Sequence, residues 1–262
     1  MNRTLVTLPV ADGDTCPTLI FSPSTPGSYP ALIMAIDGFG VRPALEQMAA
    51  ALAARGAVVA LPDLYHRAGN IMDLVPAGTV ADIKSLVGKI FSDNDLRTRW
   101  REHFYASAVE PAHIEADFTA VLNHLAQRSD VKAGGVGITG YCMGGNIALR
   151  VAARFGERIA FAASFHGGNL VTDAADSPHL GAGSITAQVY VAGAIEDASF
   201  TDDARAKLAA AFDAAKLRYE IETYQARHGF CVPDMPTYDA AAAARHDAAL
   251  ARLLGLAASH ET

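Results

Sequence analysis

The sequence is poor in cysteine, and the cysteines that it has form no pattern. Cys16, Cys142 and Cys231 are an odd number with no paired spacing. They indicate neither a disulfide framework nor a four-ligand zinc site. We therefore expect a reducing, cytoplasmic location.

An excess of positive charge and a long apolar run are also missing. The formal charge is −7, from 21 Lys and Arg against 28 Asp and Glu, so a basic surface for nucleic acid is not expected. The apolar run at 31–36 is far shorter than the ~20 residues that span a bilayer. The N-terminal 16 residues lack the apolar core of a signal peptide, and no basic amphipathic helix follows them. We expect neither a nucleic-acid partner nor a membrane partner.

The chain is rich in apolar residues, at 51% of 262, and these are arranged in strand-length runs. The predicted buried strands are 31–36, 57–62, 134–141, 159–165, 186–193 and 218–224. The predicted helices are 43–56, 97–127, 144–156, 201–216 and 237–255. This alternation predicts one α/β domain over residues 1–262, with a mostly parallel sheet covered by helices on both faces. Two further strands around ADGDT predict a hairpin near the N-terminus.

The least regular stretch of the pattern lies at 66–100. It contains Gly69, Pro76 and Gly78, which interrupt helical and strand periodicity alike. We interpret this stretch as a segment that could serve as a cap or lid.

The stretch GITGYCMGGNIALR at 137–150 passes from a strand to a helix through a glycine-rich turn. The overlapping letters GVGITG fit a dinucleotide fingerprint, but these glycines lie inside the strand, and Glu157, near the acidic position, ends a helix. The spacing Gly140-x-Cys142-x-Gly144 is instead that of a nucleophile elbow, with cysteine where serine usually stands. Such a turn strains the backbone of the nucleophile and places helix N–H groups near the sulfur, which favours the thiolate. The alternative is a buried structural cysteine.

A nucleophilic thiol needs a base, and the base needs an orienting acid. In a hydrolase of this architecture the acid and then the histidine follow later strands. Asp197 follows strand 186–193 and His228 follows strand 218–224, so both lie with Cys142 at the carboxyl ends of strands. Asp202 and Asp203 are rivals to Asp197, but their place at the start of a helix favours capping and dipole roles.

These motifs together resemble the dienelactone hydrolase family (carboxymethylenebutenolidases), cysteine-dependent members of the α/β-hydrolase fold. The resemblance runs over nearly the whole chain and rests on IDGFGV (36–41), LPDLYHR (61–67), GYCMGG (140–145), HGG (166–168), AIEDASF (194–200) and RHGF (227–230). It implies the α/β-hydrolase fold and a catalytic triad of Cys142, Asp197 and His228. It also implies an oxyanion hole formed by the backbone N–H groups of Met143 and Gly38.

Two departures from the family pattern concern activation and substrate. Asp37 stands where the family has a glutamate that helps activate the thiol; it could face the sulfur or serve only to hold the loop. Val232 stands where dienelactone hydrolases carry an arginine that binds the substrate carboxylate. The absence of that arginine puts the dienelactone itself in doubt as substrate. Arginines 67, 97, 99 and 101 could substitute, although ordinary solvated arginines are the favoured interpretation.

The sequence therefore predicts a hydrolase of a small ester or lactone that forms an acyl-enzyme on Cys142 and needs no metal or organic cofactor. Residues expected near the substrate or the thiol, beyond Asp37, are Tyr65, Arg67, Trp100, His166 and Phe230. The open alternatives are thioester hydrolysis or acyl transfer by the same triad, and a catalytically silent ligand-binding or redox-sensing protein. We expect a monomer or a small homo-oligomer.

Overall fold

A single eight-stranded sheet is the centre of the computed structural model, which describes residues 1–257. Its strands are β1 (Asn2–Pro9), β2 (Thr15–Ser22), β3 (Ala31–Ala35), β4 (Val58–Pro62), β5 (Val136–Tyr141), β6 (Ile159–Phe165), β7 (Gln188–Gly193) and β8 (Tyr219–Thr223). They lie in the order β1-β2-β4-β3-β5-β6-β7-β8. β2 pairs antiparallel with β1 and β4, and all other pairs are parallel. The mostly parallel sheet predicted from the sequence is confirmed.

Helices cover both faces of this sheet. They are α1 (Pro43–Ala54), α2 (Ile83–Ser92), α3 (Asn94–Trp100), α4 (Ala106–Val109), α5 (Pro111–Ala126), α6 (Met143–Phe155), α7 (Asp202–Ala214) and α8 (Ala240–Leu254). The chain runs from β3 through α1 towards one edge of the sheet and from β5 through α6 towards the other. Because crossovers between parallel strands are right-handed, α1 and α6 lie on opposite faces.

The central strands form the core of the molecule. Every residue of β3, β4 and β5 is buried. Strands covered by helices on both faces must be apolar on both sides, which is why their sequences are continuous apolar runs and not alternating patterns. The predicted N-terminal hairpin is also present, as β1 and β2 pair from Asn2 with Ser22 to Pro9 with Thr15.

The predicted helix 97–127 is divided in the structure. A wide π-helical turn (Arg101–Tyr105) follows α3, and the helix stops at Glu110, whose ψ of 124° is not helical. Pro111 then begins α5. Proline has no N–H to donate and crowds the residue before it out of the helical region, so it starts a helix and does not continue one.

The segment 66–100 is more regular than its sequence indicated. After a short 3₁₀ turn (Ile71–Leu74), it folds into α2 and α3, each capped by an aspartate side chain that accepts a backbone N–H: Asp82 from Ser85 and Asp93 from Leu96. The irregular part of this stretch ends before α2 and contains Gly69, Pro76 and Gly78, whereas the two capped helices follow it.

The strand order creates a crevice at the carboxyl ends of the central strands. β3 lies between β4 and β5, so the connections after β3 and β5 leave in opposite directions. In open α/β sheets such a switch point is where the carboxyl ends of the strands leave room for a ligand. The loop after β3 and the turn after β5 are the segments that border this crevice.

Candidate active site

Cys142 lies at the tip of the turn between β5 and α6. Its backbone has φ 53° and ψ −113°, a conformation that residues other than glycine rarely adopt. A Cβ on Gly140 would overlap the carbonyl of Gly144, and a Cβ on Gly144 would overlap the carbonyl of Ile36. The turn therefore needs glycine at both positions, two before and two after the cysteine. Strain of this kind is typical of functional sites.

His228 and Asp197 form a hydrogen-bonded pair above the same edge of the sheet. The Nδ1 atom of His228 lies 2.7 Å from Oδ2 of Asp197. The other carboxylate oxygen accepts the N–H of Ser199 at 2.9 Å and its Oγ–H at 2.6 Å. Burial acts to raise the pKa of Asp197, but the hydrogen bonds and the charge of His228 outweigh it and lower that pKa. The carboxylate is thus held ionised and in one orientation.

The His228 ring also interacts with the thiol of Cys142. Burial acts to lower the pKa of His228, but the nearby charge of Cys142 and the hydrogen bond to Asp197 raise it to about 10. A protonated imidazole beside a thiolate is the arrangement that produces a reactive sulfur. The three side chains that the sequence singled out therefore line one cavity, and this arrangement can support nucleophilic chemistry.

The loop after β3 faces Cys142 across the crevice and is held from behind. The carbonyl of Gly38 accepts the Tyr65 hydroxyl at 2.9 Å and the Trp100 Nε1–H at 2.8 Å. A Cβ on Gly38 would lie 2.6 Å from the Trp100 ring, so glycine lets the indole cover the loop. On the other side of the crevice, Met143 opens α6, where N–H groups have no partner within the helix.

Two residues expected to shape the pocket support it from behind. Tyr65 is buried, and its hydroxyl contacts Gly38 and the Met143 sulfur instead of the cavity. Phe230 is fully buried, stacked on Tyr224 and in edge contact with His166. Neither is among the residues that line the cavity, because each points into the core beneath its loop.

His166, the third such candidate, lines the cavity beneath the nucleophile. Its Nδ1 accepts the N–H of Cys142 at 3.2 Å, and its Nε2 lies 3.4 Å from Sγ of Cys231. Burial, followed by the charges of His228 and His246, lowers the pKa of His166 well below its ordinary value. The ring is therefore neutral and carries its hydrogen on Nε2, which donates to Cys231. Sequence reasoning missed this contact of Cys231, since no spacing relates it to His166.

Asp37 is buried and paired with an arginine that the sequence had not singled out. Nη1 and Nη2 of Arg42 lie 2.7 and 2.8 Å from the two carboxylate oxygens of Asp37. The same guanidinium binds Asp234, six positions after His228, at 2.7 and 2.9 Å. Of the two roles left open for Asp37, this pairing favours holding the loop.

Arg67 lies in a separate ion-pair cluster and does not reach the cavity. Its guanidinium donates to both oxygens of Asp117 at 2.9 and 2.8 Å and to Asp12. Within residues 1–257, potential metal-ligand atoms of Cys16, His66 and Asp117 come within 4.8 Å of one another here. Arg67 already pairs with Asp117 and lies 2.8 Å from Nε2 of His66, so a guanidinium stands at two of the three potential ligands. The expectation that Arg67 contacts substrate is not supported.

The cavity has a volume of about 660 Å³ and is covered by the segment that the sequence indicated as a lid. On this side the wall consists of Phe91, Arg97 and Trp100 from that segment and of Arg101 and Tyr105 from the π-helical turn that directly follows it; we call the segment and this turn together the lid. Arg97 and Arg101 are four residues apart, which places both on one side of the helix. The favoured interpretation of these two as ordinary solvated arginines is therefore incomplete. Val232, by contrast, is fully buried.

Residues missed by the sequence complete the wall. The hydroxyl of Tyr105 accepts the side-chain N–H of Asn169 at 3.3 Å, and Asn169 has a left-handed backbone with φ 55°.

Asp202 and Asp203, the rivals for the acid position, lie in the first turn of α7. Thr201, not either aspartate, caps that helix by accepting the N–H of Ala204.

Comparison with known proteins places this geometry in a family. Residues 16–257 match the model of the dienelactone hydrolase family. The chain belongs to that family. A carboxymethylenebutenolidase of Pseudomonas sp. is similar to it, at 31% identity over 127 residues, which are 48% of this chain and 46% of that protein. The match thus spans less than half the length of the Pseudomonas protein.

Solved structures show the fold of the family over the whole chain. A Klebsiella pneumoniae subsp. pneumoniae protein provisionally named a dienelactone hydrolase has a TM-score of 0.81 at 23% identity, covering 97% of this chain and 98% of that one. A dienelactone hydrolase-like promiscuous phosphotriesterase from metagenomic libraries has a TM-score of 0.69 at 22% identity, with coverages of 98% and 100%. At these identities the likeness establishes the α/β-hydrolase fold alone. Among residues 1–257, no helix has the length and apolar character needed to cross a bilayer.

Proposed function

We propose that this member of the dienelactone hydrolase family hydrolyses ester or lactone bonds through an acyl-enzyme on Cys142. The observation that carries the proposal is the strained turn that presents Cys142 to a histidine, His228, whose other ring nitrogen is 2.7 Å from Asp197. Nucleophile, base and orienting acid in one cavity are what acyl transfer by a thiol requires.

In the first half-reaction the Cys142 thiolate attacks the carbonyl carbon of the substrate. The carbonyl oxygen becomes an oxyanion, for which the backbone N–H groups of Met143 and Gly38 are the donors. Each donor contributes roughly 10²–10³ in rate at comparable sites. His228 gives its proton to the leaving alkoxide as the carbon–oxygen bond breaks, and an acyl thioester remains on Cys142.

In the second half-reaction His228, now neutral, takes a proton from water as that water attacks the thioester. The carbon–sulfur bond breaks, the acid is released, and the thiolate–imidazolium pair is restored. Asp197 keeps the Nδ1 hydrogen of the ring in place through both steps, so Nε2 faces the reacting atoms. The reaction consumes one water and needs no other reactant.

The cavity favours a substrate with an apolar body and an acidic group. Phe39, Phe91 and Trp100 give an apolar wall, and two arginines of the lid, Arg97 and Arg101, line the same cavity. A guanidinium pairs well with a carboxylate in two parallel hydrogen bonds. We propose that these two arginines receive the acidic group in place of the arginine that Val232 replaces.

The test is hydrolysis of p-nitrophenyl acetate by the wild type and by Cys142→Ala and His228→Ala. Both variants should lose at least about a thousandfold in kcat/KM, as removal of a nucleophile or base does in comparable triads. Full activity in either variant would overturn the assignment. A matched lactone and thioester, compared on the wild type, decide between lactonase and thioesterase activity. A silent ligand-binding or redox-sensing protein would turn over none of the three.

A further inference from the structure

The guanidinium of Arg42 is buried between two carboxylates and has no N–H left to donate. Nε and Nη2 donate to Asp234 at 2.7 and 2.9 Å, and Nη1 and Nη2 donate to Asp37 at 2.7 and 2.8 Å. The fifth hydrogen goes from Nη1 to the carbonyl of Gly40 at 3.2 Å. The side chain is 3% exposed. An arginine saturated in this way cannot bind a substrate without breaking a contact with the protein.

Arg42 connects the loop that carries Gly38 to the loop that follows His228. Asp37 directly precedes Gly38 in the loop after β3, and Asp234 lies in the loop that follows His228. Both loops line the cavity, the first with Asp37 and the second with residues 235–237. The guanidinium also lies 6.0 Å from the centre of the Phe39 ring, which stacks on Trp100 of the lid. One side chain therefore joins two loops of the cavity wall and lies beside Phe39, which contacts the lid.

The same contacts decide what Asp37 can do. Oδ1 of Asp37 accepts from Arg42 and from the N–H of Phe39 at 3.0 Å, and Oδ2 accepts from Arg42. Both oxygens are thus engaged by charged or backbone donors, although Asp37 lines the cavity that holds the thiol. A carboxylate neutralised by an adjacent guanidinium has little effect on a neighbouring acid, whereas an unpaired one raises the pKa of that acid.

We propose that Arg42 is a positioning residue that clamps the loop after β3 to the loop after His228 and withholds the charge of Asp37 from Cys142. The clamp deepens the proposed function. Its effect on the rate of hydrolysis rests on that function. Ionisation of the thiol then depends on His228 and not on Asp37. The family's activating carboxylate has become a structural one in this chain.

Other titratable and charged groups face the thiol from every side of the cavity. They are His228, Asp197, His166, Tyr105, Arg97 and Arg101, and Tyr65 lies behind the loop after β3 with its hydroxyl on Gly38. None of them is changed in the variants described below, so their contribution is the same in each. Asp234 loses its partner in every Arg42 variant, but its side chain is 30% exposed and is screened by solvent.

The test measures alkylation of Cys142 by iodoacetamide as a function of pH, with the labelled peptide quantified by mass spectrometry. Arg42→Met leaves Asp37 unpaired and should move the midpoint of alkylation at least about half a pH unit higher, because a like charge disfavours the thiolate. Asp37→Asn should leave the midpoint where it is in the wild type. The double variant Arg42→Met/Asp37→Asn should return it to the wild-type value. A purely structural role of Arg42 would not be reversed by the second substitution.

The clamp is overturned if Asp37→Asn alone moves the midpoint, or if Arg42→Met does not. Arg42→Lys provides a second variant should Arg42→Met fail to fold, because one ammonium cannot reproduce two bidentate contacts. It should give a smaller upward shift that Asp37→Asn again reverses. Alkylation needs no substrate, so the clamp and the proposed hydrolysis fail separately: lack of ester turnover with the expected midpoints would remove the function and keep the clamp.

Discussion

The imidazole of His166 works only as a neutral ring, because its Nδ1 accepts the N–H of Cys142. A second proton would have to enter on that nitrogen, which already faces a donor in a buried place beside His228, 5.0 Å away between ring centres. His166 thus supports the strained backbone of Cys142 only while its ring is unprotonated. Its backbone is itself left-handed, with φ 39°.

This support predicts a loss of stability in mild acid. Because the pKa of His166 is held well below 6.5, its contribution is complete above pH ~6.5 and is lost as pH falls, since only the unfolded chain takes up the proton. The slope is at most about 1.4 kcal/mol per pH unit. In His166→Gln, whose amide can still accept and donate, this component should be absent. Urea unfolding at pH 7.5 and 5.5 measures it; equal acid losses in both proteins would contradict the explanation.

Single residues were predictable from the sequence where their chemistry leaves a local signature. Cys142 is marked by its flanking glycines, and Asp197 and His228 by their place after strands. Arg42 carries no such mark, because its contact with Asp234 spans 192 positions and only the fold brings the two together. Val232 and Asp37 could be recognised as departures, but their environment could not.

At the scale of elements, the turn between β5 and α6 depends on backbone-to-backbone contact. Gly144 packs so closely on the end of β3 that its Cα faces the carbonyls of Ala35 and Ile36. Steric exclusion of this kind couples the nucleophile turn to the loop that carries Gly38.

Substitution of Gly144 should therefore be costly. Gly144→Ala places a methyl group against a backbone that cannot rotate away, and overpacking of this kind costs about 3 kcal/mol of the free energy of unfolding. Gly88→Ala is the matched control: Gly88 lies in α2 with nothing within 4 Å of an added Cβ, so the exchange should stabilise by about 0.5–1 kcal/mol. Urea denaturation of both variants measures the difference. Similar values for the two would show that the turn tolerates a side chain.

The elements themselves were predicted well where periodicity is strong. The six predicted strands lie within two residues of their predicted bounds, but 218–224 forms β8, a half-buried strand at the edge of the sheet and not a buried one. The helix α2 and the first three residues of α3 were missed, because Gly69, Pro76 and Gly78 dominate the pattern before them. Their aspartate caps, Asp82 and Asp93, were the signal that could have found them.

At the scale of the whole molecule, charge is distributed unevenly. The chain carries a net charge of −7, yet Arg97 and Arg101 line its cavity. Cationic groups at the entrance to a cavity in an acidic protein attract acidic ligands locally while the remaining surface repels them. The lid should thus select substrate by charge.

A comparison of esters tests this selection. Arg101→Gln should lower kcat/KM for an aryl ester with a free carboxylate roughly tenfold, the loss expected for one charge-assisted hydrogen bond, and change that of the neutral methyl analogue less than about twofold. Lys89→Gln removes the same charge from the exposed side of α2, away from the cavity, and serves as the control. Equal losses on the acidic and neutral esters would remove the role of Arg101 in charge recognition.

The fold class followed from composition and alternation, since a long apolar chain with buried strands and intervening helices has few other solutions. The cavity did not, because its wall is assembled from the loops after five strands together with the lid. Which arginine enters it is a property of helix direction and loop packing. The prediction that the cavity selects substrates by charge therefore needed the three-dimensional structure.

The proposed function depends most directly on transfer of an acyl group to Cys142. Wild type is mixed with excess p-nitrophenyl acetate, quenched in acid within the first turnover, digested and examined by mass spectrometry. An acetyl group on the peptide that contains Cys142, absent from Cys142→Ala, is the predicted result. An acetyl group on another residue, or wild-type turnover by Cys142→Ala, would show that Cys142 is not the nucleophile.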